Sequence, residues 1–143
     1  LEEAMSVKAR LISVKWVEPD EGVGYGLAGH VRRLTPVGVV QVGYADGLDW
    51  RLSQSPRSTR HPAAACYRGR SLPIIGRICM DQCFLDLTEV ADEIEIGDPI
   101  LILGSDPANG TIGMWETAKK IGTIPYEVMT GFGKRLPRKY VNT

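Results

Sequence analysis

Residues 5–17 read MSVKARLISVKWV, and the phase of their alternation decides the fold. Val7, Ala9 and Leu11 put apolar side chains on odd positions, while Ile12, Val14 and Trp16 put them on even ones. Successive side chains of a strand point to opposite faces, so a straight strand would turn one of these sets into water. A bulge or sharp bend at Leu11-Ile12 would keep both sets inside, and bends of this kind are common in β-barrels. Further along, residues 37–44 (VGVVQVGY) read as a strand ending at Ala45-Asp46-Gly47. Cys66-Tyr67-Arg68-Gly69-Arg70 reads as a hairpin leading into a strand over 72–79, and 83–87 continues as another. Residues 100–103 (ILIL) make a wholly apolar strand suited to the centre of the core. Residues 53–62 (SQSPRSTRHP) form the best candidate for an exposed, mobile loop.

After residues 104–110 the texture changes. Thr111 can cap a helix holding Ile112, Trp115, Ala118 and Ile121, with Glu116 and Lys120 four apart and Gly122 at the exit. Pro125 suits the first turn of a second short helix, and the basic residues 134–139 read as extended. The expected fold is one mainly β domain over residues 1–143, with one or two short helices near its C-terminus.

Composition narrows the function classes. With 43% hydrophobic and 24% charged residues, the chain can bury a core and is globular rather than disordered. Seventeen basic residues balance seventeen acidic ones, without the clustered excess of a nucleic-acid binder. The balance is uneven, because residues 51–77 hold six arginines and no acid and residues 86–106 hold seven acids and no base. Two solvated faces that attract one another within the fold explain this; two patches meeting across an oligomer contact are the alternative. No apolar run approaches the ~20 residues that span a bilayer, and the opening LEEAMSVKAR lacks a signal-peptide pattern. Three cysteines is an odd number, so a closed disulfide framework is not expected and a reducing cytoplasm is the simpler setting. Leu1 is not a natural start, so the chain is expected to be cut from a longer one.

Residues 76–83, GRICMDQC, concentrate the reactive groups. Cys79 and Cys83 lie four apart, but a structural zinc site needs four ligands, and Cys66, His30 and His61 are unpaired in the sequence. No metal is expected, and the cysteines read as reduced core thiols. A nucleophilic Cys79 would need a histidine base; His61 falls in the candidate loop and His30 in another turn, and the sequence neither forbids nor indicates the pairing. Tyr25, enclosed by glycines in GYG, and Tyr44, in GYADG, stand where a backbone can approach a ligand closely. Either they fit a sheet edge, or one exchanges protons with help from a nearby cation. No Walker loop, GxGxxG unit or GxSxG elbow is present.

Taken in order, VGYG (23–26), VGYADGL (42–48), LPIIGRICMDQ (72–82), EIGDPILILG (95–104) and IPYEV (124–128) resemble the carboxy-terminal domain of alanine racemase over nearly the whole chain. The resemblance implies a partly open β-barrel that follows an amino-terminal (β/α)₈ barrel, absent here together with the lysine that holds pyridoxal 5′-phosphate. It also implies a head-to-tail homodimer acting on a small amino acid. Tyr25 looks like the second catalytic base, reaching the partner subunit's cofactor. Met80 resembles the residue whose backbone N–H contacts the substrate carboxylate, with Asp81 beside it. Tyr44 looks like a gate of the substrate entrance, and Tyr126 like the tyrosine that binds the cofactor phosphate. The arginine that usually follows GYADG falls one residue late, at Arg51, and the segment after it is longer than common. A racemase acting on serine or on many amino acids, a related decarboxylase and a non-catalytic β-barrel binding module are the alternatives. Racemisation removes the Cα proton on one face and returns one on the other, and tyrosine can donate when neutral or accept when ionised.

Overall fold

The computed structural model of the chain describes residues 4–54 and 63–141, and of Tyr25 the backbone alone. Its elements are β1 Val7–Val17, β2 Thr35–Val40, β3 Ala64–Tyr67, β4 Arg70–Pro73, β5 Cys83–Asp86, β6 Pro99–Asp106, β7 Gly110–Ile112, α1 Met114–Ile121 and α2 Pro125–Gly131. All strand pairs are antiparallel, in the order β4-β3-β6-β1-β2-β5, with β7 added to β6. The edges β4 and β5 meet at a single bridge, Ile74 opposite Leu85, beside one hydrogen bond from Ile75 N–H to Phe84 O at 2.9 Å. The sheet curls round but is not closed by a ladder, the partly open barrel expected from the sequence.

β1 makes the corner. Its residues 7–10 pair with β6, and from Leu11 onward it pairs with β2. The register slips between Leu11, opposite Val40, and Ser13, opposite Val39, which is the bulge that the phase change demanded. Val7, Ala9 and Leu11 point into the main core with Leu72, Leu85, Leu87, Ile100 and Leu103. The even set behaves otherwise: Ile12, Val14 and Trp16 are 42%, 40% and 56% exposed, so the bend does not bring both sets inside. Val14 and Trp16 lie opposite Gly38 and Pro36, which offer little side chain to cover them.

Other boundaries differ for identifiable reasons. β2 ends at Val40 rather than Tyr44, because the chain turns to dock Tyr44 and Ala45 on a neighbouring loop. β4 ends at Pro73, and residues 74–79 form a loop joined to β5 only by the Ile74 bridge and its neighbouring bond. Thr111 lies in β7, not at a helix cap; Gly113 is the N-cap of α1, whose buried residues are Met114, Thr117, Ala118 and Ile121. Trp115, grouped with Ala118 and Ile121 in the sequence, is 70% exposed. Gly122 at the left-handed exit and Pro125 in the first turn of α2 stand as read. The hairpin at Arg68-Gly69 stands too, and the basic and acidic segments meet where Arg70 pairs with Glu93 at 3.0 Å. The expected loop over 53–62 falls outside the described residues beyond Gln54. No described helix is long and apolar enough to cross a membrane.

Tyr67, almost fully buried on β3, donates its hydroxyl to Asp98 Oδ2 at 2.7 Å and so ties β3 to the turn that precedes β6. The same oxygen accepts Glu95 N–H at 2.9 Å, and these two donors, the backbone one foremost, hold the Asp98 carboxyl below its ordinary value. A group depressed in the folded state stabilises above its unfolded pKa and loses that contribution as pH falls through the folded one. Tyr67→Phe is therefore expected to cost about 1 kcal/mol in urea unfolding at pH 7, and the gap from the parent should narrow below about pH 4. A gap that widens in acid would contradict this account.

Candidate functional site

Three loops converge beside the seam between β4 and β5. The 74–85 excursion leaves at the Ile74–Leu85 bridge and ends in a tight turn, closed by Cys79 N–H to Gln82 O at 2.9 Å. Met80 and Asp81 are the central residues of that turn. Ser53 and Gln54 brace its base: Ser53 Oγ accepts Ile78 N–H, and Gln54 Oε1 accepts Gly76 N–H, both at 2.9 Å. The GYADG loop lies against the tip. Tyr44 N–H donates to Cys79 O and Ala45 N–H to Met80 O, each at 3.0 Å. Gly43 makes this possible, since a Cβ there would collide with both acceptor carbonyls.

This stitching fixes the direction of two further groups. In a trans, planar peptide the N–H points opposite to the C=O, and the described chain has no cis bond. Cys79 O and Met80 O both face the GYADG loop, so the N–H groups of Met80 and Asp81 both face away from it. Neither has a partner among the described residues. Successive N–H groups turned to one side form a concavity suited to an anion.

The VGYG segment supplies the third loop. Val23 and Gly29 bridge its ends, and Tyr25 opens a 3-10 turn over Tyr25–Leu27. Gly24 has φ 82°, a left-handed value that favours glycine, and a Cβ on it would sit 3.2 Å from Arg77 O. On Gly26 a Cβ would sit 3.5 Å from the Arg77 guanidinium. The backbone of Tyr25 therefore runs beside the base of the Met80 excursion, with a cation next to it; the side chain itself lies outside the described atoms.

Of the residues singled out from sequence, Tyr44, Met80, Asp81 and the Tyr25 backbone thus share one region. Tyr44 and Met80 are about half exposed, at 47% and 52%. Tyr126, on the first turn of α2, is 73% exposed, and no described hydrogen bond joins it to the other three. Arg51 is turned aside: it grips Asp49 with two bonds, Nε to Oδ1 at 3.0 Å and Nη2 to Oδ2 at 2.9 Å, and lies 3.7 Å from Glu127. The Arg51 guanidinium hydrogen-bonded to it holds the Asp49 carboxyl below its ordinary value.

Two residues that the sequence reading passed over complete the cluster. Asp46, nearly buried, accepts Gly43 N–H at 3.0 Å and closes the GYADG turn. Arg135, from the C-terminal segment, lies 3.5 Å from Asp46 and donates to Asp81. The Asp three residues after a glycine was a legible turn signal; Arg135 carried no signal, being one cation in a basic run. Two of the three thiols are poor nucleophile candidates, because burial raises Cys66 and pushes Cys83, with help from Cys79, up to about 12.

A family model described as "Alanine racemase, C-terminal domain" matches residues 4–140. Alanine racemase 1 of Caldanaerobacter subterraneus subsp. tengcongensis is 38% identical over 140 residues, which cover 98% of this chain and 34% of that protein. The alanine racemase from D-cycloserine-producing Streptomyces lavendulae superposes with a TM-score of 0.83 at 36% identity, over 100% of this chain and 35% of that one. The alanine racemase from Bartonella henselae, solved with covalently bound pyridoxal phosphate, gives a TM-score of 0.80 at 28% identity, over 95% of this chain and 34% of that one. The chain spans about a third of the length of the curated relatives it matches.

Two outcomes test this geometry. Gly43→Ala should force the two loops apart and cost about 1–3 kcal/mol in denaturant unfolding; a loss under ~0.5 kcal/mol would mean the contact is slack. At pH 8 a thiol with a pKa near 12 is ionised to roughly one part in 10⁴. A disulfide reagent should accordingly modify half-buried Cys79 in the native protein, and Cys66 and Cys83 only after unfolding.

Proposed function

The chain belongs to the alanine racemase C-terminal domain family, and we propose that it completes the substrate pocket of a pyridoxal-phosphate-dependent racemase interconverting L- and D-alanine. The observation that carries this reading is the meeting of the Tyr25, Tyr44 and Met80 loops at the seam, with two backbone N–H groups turned to one side. In the whole protein an amino-terminal (β/α)₈ barrel would precede this chain and carry the cofactor lysine, since none of the lysines here lies in that motif. Two copies would assemble head to tail, so that this domain serves its partner's pocket, and the enzyme would work in the cytoplasm.

The Met80 N–H receives the substrate carboxylate, and the Met80 side chain forms an apolar flank beside it. Tyr44 stands at the entrance, where half-exposure leaves its ring in the path of an entering amino acid. Pyridoxal phosphate would supply the electron sink that makes the Cα proton removable. The residues present fit that group: Tyr126 is exposed and its hydroxyl has no described intrachain bond, so it can meet a phosphate oxygen. Tyr25 moves a proton at its phenolic oxygen on one face of Cα, while a base of the preceding barrel serves the other. Arg77 lies beside the Tyr25 backbone and brings a positive charge to the base of this loop.

The decisive experiment uses the full-length protein and Tyr25→Phe. Conversion of either enantiomer should fall by about 10²–10⁴-fold, while one enantiomer still exchanges its Cα hydrogen with deuterated solvent. Full-speed interconversion in both directions would end this reading. Binding of an amino acid by the parent protein without any turnover would favour the binding-module alternative.

A further inference from the structure

The turn that holds Met80 also carries a fixed negative charge. Asp81 is next in sequence to Met80, its side chain is 60% exposed, and its one described partner is Arg135. An anion approaching the outward N–H groups of Met80 and Asp81 therefore meets a carboxylate on the same turn. Two like charges a few ångströms apart at a protein surface repel by an amount comparable to the gain from one hydrogen bond. The guanidinium of Arg135 lies between Asp81 and Asp46, the two carboxylates of this region, donating to Oδ1 of the first and 3.5 Å from Oδ1 of the second. Asp46 in turn fixes Gly43, whose loop stitches down Cys79 O and Met80 O.

We infer that Arg135 is a positioning residue for the substrate carboxylate: it neutralises Asp81 beside the two backbone donors and ties the Met80 turn to the GYADG loop. This rests on the reading that the Met80 N–H receives a carboxylate. The role is not one of global stability, because a half-exposed ion pair adds little to folding. Its effect falls on how well an anion is held, and so on KM rather than on the proton-transfer step. Arg135 never touches the reacting atoms; it acts through Asp81 and the peptide of Met80.

The test uses the full-length protein. Arg135→Met should raise KM for L-alanine about tenfold, with kcat within about threefold of the parent. Arg135→Lys, which keeps the charge, should recover most of that loss. Adding Asp81→Asn to Arg135→Met should bring KM back to within about threefold, because the repelling charge is gone. A KM unmoved in Arg135→Met, or one that Asp81→Asn leaves high, would overturn the proposal, since a purely structural arginine would not be rescued by deleting its partner's charge. Hydrogen exchange gives a readout independent of turnover: the Tyr44 and Ala45 amides should exchange faster in Arg135→Met than in the parent. If the parent protein shows no racemisation, the functional reading fails while this readout still decides the clamp, and unchanged exchange at both amides would dismiss it.

Discussion

The seam between β4 and β5 is the constraint on which the site depends. At most strand pairs of this sheet a ladder of several residues fixes the register, but here one bridge at Ile74–Leu85 and one bond at Ile75–Phe84 do so. A full ladder would have absorbed residues 74–85 into the barrel wall, with their N–H and C=O groups spent on each other. Because pairing stops after one bridge, the chain is released for eight residues and returns as β5, and the tip of that excursion is where Met80 and Asp81 stand. Irregular backbone must satisfy its polar groups by other means. The GYADG loop supplies two donors, Ser53 and Gln54 supply two side-chain acceptors, and the tip closes on itself through Cys79 and Gln82. The N–H groups of Met80 and Asp81, turned to the far side without a described partner, are the chemically available surface.

The corner in β1 provides the opposite wall of the same construction. A strand that pairs with β6 at one end and with β2 at the other must rotate its partners around it, and the bulge after Leu11 does this at the cost of one unpaired residue. The rotation lets β2 carry β5 round to within reach of β4, so the seam exists only because the corner does. A second small core, Val17, Val23, Val37 and Ile75, fills the angle behind the corner and anchors both the VGYG loop and the start of the Met80 excursion. This small core thus holds two of the three loops, while the GYADG loop is bonded to the Met80 excursion and flanked by Val42 and Leu48 of the main core.

Much of this was legible in the sequence, and the exceptions share a physical character. The phase change at Leu11-Ile12, the hairpin at Arg68-Gly69 and the helix exit at Gly122 are local signals, set by side-chain period or by a left-handed backbone, and all three stand. The exposure of Ile12, Val14 and Trp16 was not legible, because burial depends on what lies across the sheet, and here that is Gly38 and Pro36. β7 was missed although Asn109-Gly110 is a strong hairpin pair; the apolar residues after it match a helix period and drew the reading forward. The motif residues Tyr25, Tyr44, Met80 and Asp81 were found through resemblance, whereas Asp46 and Arg135 matter by virtue of contacts that no spacing encodes. Arg135 lies 54 residues from Asp81 and 89 from Asp46, and only the folded chain places the three together.

The proposed recognition through main-chain donors would bear on how such a site tolerates change. A carboxylate held by an arginine side chain depends on one residue identity and on the rotamer entropy of a long chain. A carboxylate held by the Met80 N–H depends on the orientation of a peptide plane, which Tyr44 and Ala45 fix through their own backbones. The side chains at the tip are then released from binding the charge: Met80 can serve as an apolar flank, and Tyr44 can stand half in solvent. The burden moves instead to residues that look featureless in a sequence. Gly43 must have no Cβ, and Asp46 must close its turn. The acid that sits on the same tip must be neutralised if an anion is to come close. Such a pocket is specified less by its visible aromatic and sulfur-bearing residues than by the glycine, aspartate and arginine that hold two loops edge to edge.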